Sequence, residues 1–439
     1  MTSSTSVSST GSANNDAEAA RSAARRLPAE AVKDDGALKR RLARAGRRGR
    51  LRALLLVAPL LLFVVISFVA PIFTLVRQSF YNTLFSANLP ETTRLLGEWR
   101  TDQPVPETLC AALVREMRAA RSVDPFLPSR IATYVNRERA GSLYRIKQVA
   151  TASGLQAPYC QALAELNGDW ARPGLWRAMK VVAPALSPRF FLQAVDLRLQ
   201  ADGGVRAEDA DEAIHLRLFA RTAWVGAVVT ALAALLGYPL AYLLAHVSTR
   251  TSNLLLIAVL LPFWTSLLVR TTAWIALLQQ NGVVNNTLVA LDIVADKHRP
   301  EMMYNMFATL VVMTHVLLPF MILPLFSVMK GVSPNYVRAA LSLGATPATA
   351  FRRIYFPQTL PGLGAGCLLV FILAIGYYIT PALVGGESGQ LISNIIAFHM
   401  QQTLNWPLAS AIGVLLLVGV LLLYWLYSRL VGMDKMRLA

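Results

Sequence analysis

Acidic side chains are scarce in this sequence. Against 42 Lys and Arg there are 25 Asp and Glu, and none of the acids falls within the six longest apolar stretches. A proton relay through intramembrane carboxylates, the device of many carriers and pumps, has no groups here to run on. None of the seven lysines follows a glycine, so the chain has no phosphate-cradling loop of the G-x-x-x-x-G-K-[ST] type. H-E-x-x-H, C-x-x-C and G-x-S-x-G are also absent, and the five histidines are scattered. No catalytic residue and no metal-ligand set is therefore expected. A lone histidine such as His315, inside an apolar run, reads as a hydrogen-bonding partner for a neighbouring helix.

What the chain does have is apolar length. Of its 439 residues 55% are hydrophobic and only 15% charged, and its mean hydropathy is positive, which is too apolar for an ordinary soluble protein. Taking about 20 apolar residues as one crossing, spans are expected near 53–76, 219–245, 254–278, 305–329, 359–384 and 408–430. Much of the net charge of +17 lies before the first of these, in the run "KRRLARAGRRGRLR" (Lys39–Arg52). A basic flank of this kind orients a span during insertion and sits well against anionic membrane lipids, and no aromatic-interleaved surface suggests nucleic acid. Residues 1–50 are rich in Ser, Thr and Ala and read as a disordered basic cytoplasmic tail. The apolar run after them is long for a signal peptide, which favours an uncleaved first helix over 51–76.

The connecting segments test the orientation. With the N-terminus inside, the inner segments are the tail, 246–253, 330–358 and 429–439, and each carries Arg or Lys. The short outer segments, 279–304 and 385–407, hold Lys297 and Arg299 against Asp292, Asp296, Glu301 and Glu387. That asymmetry satisfies the positive-inside rule and places both termini, including 432–439, in the cytoplasm. Residues 77–218 are too many for an unstructured loop. Helical spacing in "ETLCAALVREMRAA" and "LYRIKQVATASGLQAPYCQALAEL" predicts a mainly helical extracytoplasmic insertion between the first two spans. The fold class expected is an all-α membrane protein with six spans, this insertion after the first of them, and a core of five further spans over 219–431. Cys110 and Cys160 both fall in the insertion, where a disulfide and two separate buried thiols are equally compatible with their spacing. Cys367, in an apolar span, reads as packing. Arg270, in "LPFWTSLLVRTTAWIALL", either snorkels outward or faces a wet pathway.

One inner segment is unlike the others. In "RAALSLGATPATAFRRIYFP" (Arg338–Pro357), Pro334 and Asn335 can start a short helix that Gly344 ends. Thr346 and Pro347 then cap and open a second helix, with Arg352 and Arg353 in its last turn before Pro357 stops it. The product is a compact helix pair, joined to two spans, that a partner could push.

These residues resemble the cytoplasmic E-A-A-x3-G-x9-I-x-L-P motif of the permease subunits of bacterial ATP-binding-cassette importers. Ala339, Ala340, Gly344, Ile354 and Pro357 stand in its register, whereas Arg338 replaces the Glu and Phe356 the Leu. Within that family, "LPFWTSLLVRTTAWIALLQQNGVVNN" and "GYYITPALVGG" look like the spermidine/putrescine branch. The resemblance implies that the helix pair docks on an ATPase dimer, which alone binds ATP and Mg, and that this chain is not itself an enzyme. It further implies a second homologous permease, an extracytoplasmic substrate-binding protein and residence in the bacterial inner membrane. Trp264, Trp274, Tyr377 and Tyr378 could meet ammonium groups by cation–π contact, with Arg270 in a structural or gating role, although packing or an interfacial belt also explains the aromatics. Two alternatives stay open. One is import of another small solute, such as an opine, an amino-acid derivative or an organophosphonate, and the other is an ATP-independent carrier or channel.

Overall fold

The computed structural model describes residues 55–431, so the tail expected over 1–50 and the terminus at 432–439 lie outside the described residues. The chain divides into two compact units, Met1–Phe73 and Thr74–Ala439. Helix α1 (Leu55–Phe80), widened by a π-turn at Val65–Val69, contributes the described residues of the first unit and leads into the second. Among the described residues, five helices are long and apolar enough to cross a membrane: α1, α9 (His215–His246), α13 (Met306–Gly331), α15 (Pro347–Gly376) and α18 (Trp406–Val431).

The span expected at 254–278 is not one straight helix. It is a bent pair whose arms, Thr249–Trp264 and Leu267–Ala290, meet at 98° and contain α10 (Thr249–Leu260) and α11 (Leu267–Leu278). Pro262 lies in a 3-10 turn at Leu261–Trp264, and Ser266 then accepts a hydrogen bond from the Val269 N–H, starting a new helix in a new direction. Hydropathy adds the two arms together because it carries no directional information. Helix α12 (Val283–Ala290) follows.

The span expected at 359–384 also differs. Helix α15 begins twelve residues earlier and runs through Pro357 to Gly376. A π-turn at Phe351–Tyr355, closed by the Phe356 N–H on the Phe351 carbonyl, widens the helix just before the proline, so Pro357 does not stop it. The chain then breaks at Tyr377 and Tyr378 before the short α16 (Ile379–Val384).

Helices α9, α13 and α15 share one core around Val229, Met321, Leu325 and Val370. Gly362 and Gly366, four apart on α15, face α13. A Cβ on Gly362 would fall 2.9 Å from Val328 Cβ, and one on Gly366 would fall 2.7 Å from Met321 Sδ. Small residues at this spacing let two backbones approach closely in lipid, where association depends on packing. The Tyr238 hydroxyl and Thr359 Oγ1, 3.0 Å apart, add a hydrogen bond between α9 and α15.

Residues 77–218 form seven helices and one hairpin, the main helices being α2 (Pro90–Glu98), α3 (Glu107–Val123), α4 (Leu127–Asn136), α5 (Ser142–Thr151), α6 (Tyr159–Leu166), α7 (Pro173–Val182) and the short α8 (Arg189–Gln193). Strands β1 (Leu197–Leu199) and β2 (Val205–Ala207) pair antiparallel, Arg198 opposite Arg206. The core of this insertion holds Phe85, Leu109, Met117, Ile131 and Trp176. Cys110 and Cys160 are joined as a disulfide across 50 residues, a loop whose closure stabilises a folded domain by about 4 kcal/mol in the chain-entropy account. The Glu107 carboxylate accepts the N–H groups of Tyr159 and Cys160 and so pins the start of α6 beside it.

The insertion is fastened to the spanning helices rather than tethered to them. Its hydrophobic core continues into Leu218 of α9, Ile392 of α17 (Ile392–Gln401), and Leu408 and Ile412 of α18. The buried Asp196 carboxylate accepts the N–H groups of His215 (2.9 Å) and Leu216 (2.8 Å) and also contacts His215 Nδ1 (2.9 Å), capping the start of α9. Arg137 donates to the Thr403 and Leu404 carbonyls, and His399 lies beside His215 with ring centroids 6.4 Å apart. Burial, with smaller contributions from His215 and Arg137, pushes His399 down to about 4. As pH falls from about 6.5 towards 4, the unfolded chain takes up a proton at His399 that the folded chain refuses, so stability falls. Glu208, pushed up to about 7 by burial and by its hydrogen bond with Glu212, acts oppositely, its contribution declining as pH rises from about 4.5 to 7. Purified His399→Gln protein is therefore expected to lose less thermal stability between pH 7 and pH 5 than the parent. Equal losses would show that His399 does not govern this junction.

Candidate functional site

The helix pair after α13 forms from its capping residues. Ser333 Oγ accepts the Asn335 N–H, Pro334 occupies the first turn, and α14 runs Pro334–Ser342. Gly344 has φ +87°, and the Ala345 and Gly344 N–H groups bond the Ala340 and Leu341 carbonyls, each at 3.0 Å. This is the Schellman termination, which needs a left-handed residue at the position Gly344 holds. Thr346 Oγ1 then accepts the Thr349 N–H, and Pro347 begins α15. The knob is therefore continuous with a membrane-spanning helix and not merely hinged to it.

Arg338, Ala339, Gly344 and Pro357 are exposed, and Ala340 and Ile354 half-buried. Leu343 is 88% exposed, leaving an apolar tip uncovered. Behind α14 a cavity of about 520 Å3 separates the knob from the ends of α9 and α13. Its aromatic wall is a set of stacked and edge-on rings. Tyr242 stacks on His246 at 4.1 Å and meets Tyr355 edge-on at 5.4 Å, while Phe351 stacks on Tyr355 at 5.8 Å. Sequence reasoning missed this joint, although Tyr238, Tyr242 and His246 recur every four residues on one helix and so share a face. It also missed Gly362 and Gly366, visible as two glycines four apart in an apolar run.

At the other end of α13 and α15, the structure brings together three of the five predicted pathway residues. Trp274 Nε1 donates to His315 Nδ1 (3.0 Å), with the rings edge-on at 5.2 Å, which requires that this nitrogen carry no proton. Trp274 and Tyr377 pack against the same buried cluster of Leu278, Ala308, Val312 and Val384. Arg270 lies within electrostatic reach of both His315 and Tyr377. It donates to the Thr265 carbonyl (3.2 Å), and its Nε is buried with no hydrogen-bond partner among the described residues. Because the span is bent, Arg270 sits in the first turn of α11 and helps close the break. Trp264 and Tyr378 stand apart from this group. Trp264 is 77% exposed, and Tyr378 lines a cavity of about 440 Å3 with Gly376, Ser393, Met400 and Trp406. Ser393 and Asn394 donate to the Tyr377 and Tyr378 carbonyls (2.7 and 2.8 Å), holding the break open in a defined shape.

A helical membrane protein, with five candidate spans or six with the bent pair, is the class that these features define. Residues 233–432 match the family described as binding-protein-dependent transport system inner membrane component. Over 216 residues the chain is 34% identical to the spermidine/putrescine transport system permease protein PotB of Haemophilus influenzae, covering 48% of this chain and 75% of that protein. The Escherichia coli protein of the same name is 35% identical over 210 residues, covering 47% and 76%. A solved bacterial ABC transporter involved in the import of the acidic polysaccharide alginate aligns with 49% of this chain and 79% of its own, at 20% identity and a TM-score of 0.39. The chain belongs to this family of inner-membrane components, the permease subunits of ATP-binding-cassette importers.

The Trp274–His315 pair is the polar contact that ties α11 to α13. In a double-mutant cycle of Trp274→Phe and His315→Ala, read by unfolding in detergent, the coupling is expected at about 1 kcal/mol. Additive effects would mean that the two rings do not hold the arms together.

Proposed function

We propose that this chain is a membrane-spanning subunit of an ATP-driven importer of polyamines such as spermidine and putrescine. The observation that carries the transport reading is the knob, an exposed helix pair with a glycine-dependent turn, continuous with α15 and facing the ends of α9 and α13 across the aromatic-walled cavity. In the arrangement inferred here, six crossings include the bent α10–α11 pair, and the basic flanks keep both termini and the knob cytoplasmic. An ATPase dimer carrying ATP and Mg docks on Arg338, Ala339, Ala340, Gly344, Ile354 and Pro357. A second permease completes the pathway, and a binding protein delivers solute on the face bearing the 77–218 insertion. The ATPase must bind the knob differently in its two nucleotide states, since a partner with equal affinity for both drives nothing.

The polyamine assignment draws on the names of the similar permeases and on aromatic surfaces suited to ammonium groups, namely Tyr378 with Trp406 and Trp274 with Tyr377. No acidic residue lines the Tyr378 cavity, so a polycation would bind there weakly enough to leave. Arg270, already committed to the Thr265 carbonyl, suits a gating or positioning role.

Labelled spermidine uptake, with the cognate ATPase, second permease and binding protein supplied, tests the whole reading. Wild-type chain is expected to support ATP-dependent uptake. Gly344→Val places a β-branched residue at φ +87° at a local cost of about 1–2 kcal/mol, and should abolish most uptake while the protein remains in the membrane. Gly344→Asn, which tolerates that conformation, should retain more. Wild-type uptake by Gly344→Val would remove the knob from the mechanism, and unchanged uptake without this gene would remove the polyamine.

A further inference from the structure

A cleft of about 1000 Å3 opens where the insertion meets the ends of two spanning helices. Its walls come from the last two turns of α1 and residues 81–88 after it, from α4 with the residues flanking it, and from Leu404 and the start of α18. Among the described residues no acidic side chain lines it, and three guanidiniums do: those of Arg77, Arg130 and Arg137. Arg137 is committed to the Thr403 and Leu404 carbonyls, and Arg130 is paired with Asp124 just outside the cleft. Arg77 makes no ion pair or side-chain hydrogen bond among the described residues, and lies over the Tyr81 ring at 5.5 Å. Three cations and one carboxylate leave two positive charges uncompensated. Gln78 Oε1, also in the cleft wall, is buried without a hydrogen-bond partner among the described residues. It is an acceptor lacking a donor.

The rim has the opposite character. Phe126 is 75% exposed, Leu404 58%, Trp406 44% and Tyr81 43%. Aromatic and aliphatic groups left open beside arginines are the pattern of a membrane–water interface, where rings sit at headgroup depth and guanidiniums reach phosphate. The place in the chain agrees, because the apolar run of α1 ends at Phe80 and that of α18 starts at Trp406. A free anion would use the guanidiniums and leave the apolar rim unexplained.

We propose that this cleft binds the headgroup of an anionic phospholipid. The phosphodiester is held by Arg77, whose planar donors match its oxygens, while the uncompensated charge of Arg137 adds positive potential beside it. A headgroup hydroxyl donates to Gln78 Oε1, and the acyl chains leave past Phe126 and Trp406 along α18. A bound lipid of this kind would mortise the insertion to the membrane at the level where the spans emerge.

The test uses the purified full-length chain, delipidated and placed in nanodiscs of phosphatidylglycerol or of phosphatidylcholine, with bound lipid counted by native mass spectrometry and stability read by thermal melting. A third arm adds inorganic phosphate to the phosphatidylcholine discs. The expected result is selective retention of phosphatidylglycerol with a higher melting temperature, reduced about tenfold in affinity by Arg77→Gln and partly kept by Arg77→Lys. Equal retention of the two lipids by the wild-type chain would overturn the proposal, and that comparison needs no variant to fold. Undiminished selectivity in a folded Arg77→Gln protein would also overturn it. An equal melting shift from inorganic phosphate alone would assign the cleft to a free anion.

Discussion

The close approach of α13 and α15 is the constraint on which the rest depends. Gly362 and Gly366 leave no room for a Cβ against Val328 and Met321, so the two helices approach closely at this turn. In lipid, where apolar burial between helices gains little over contact with acyl chains, such packing sets which helices move as one body. These two rods are joined by the knob at one end, α13 finishing at Gly331 and α15 beginning at Pro347 inside it. The far ends of the same rods reach Trp274, through His315, and the Tyr377–Tyr378 break. In the proposed mechanism a displacement of the knob would be carried to the opposite end of the packed pair through α15, which is helical from the knob to Gly376.

The π-turn at Phe351–Tyr355 follows from the same constraint. If Pro357 had ended the helix, the knob would have been hinged on a coil and a push would have been absorbed there. Widening the helix by one residue per turn accommodates the proline ring and keeps the backbone bonded. The aromatic joint of Tyr242, His246, Phe351 and Tyr355 braces the widened turn against the end of α9.

Much of this was legible in the sequence, for identifiable reasons. Long apolar runs have few physical solutions in a membrane, so α1, α9, α13 and α18 fall near their expected positions. The caps at Ser333, Gly344 and Thr346 are local, and local chemistry is readable one residue at a time. What escaped was directional or non-local. The 98° bend between α10 and α11 changes no residue's hydropathy, and Pro357 reads as a stop wherever a π-turn cannot be foreseen. The spacing of Cys110 and Cys160 allowed a disulfide or two separate thiols, because pairing depends on how α3 and α6 pack. Arg270, Trp274 and Tyr377 stand out as candidates in the sequence, but their meeting beside one buried cluster requires the fold. Trp264 and Tyr378 shared the same motifs and lie elsewhere. The junction of Asp196, His215 and His399 joins residues from three segments, none of which carries a signal by itself.

The central claim is that the knob and the Tyr378 cavity are two ends of one mechanical element. The most direct measurement is the rate at which a membrane-impermeant thiol reagent modifies Tyr378→Cys in a Cys367→Ala background, with and without ATP in the assembled transporter. The account predicts that ATP changes this rate, and that the change disappears when Gly344→Val is added while the ATPase stays bound. An ATP-dependent change that survives Gly344→Val would show that motion reaches the pathway by a route other than the knob.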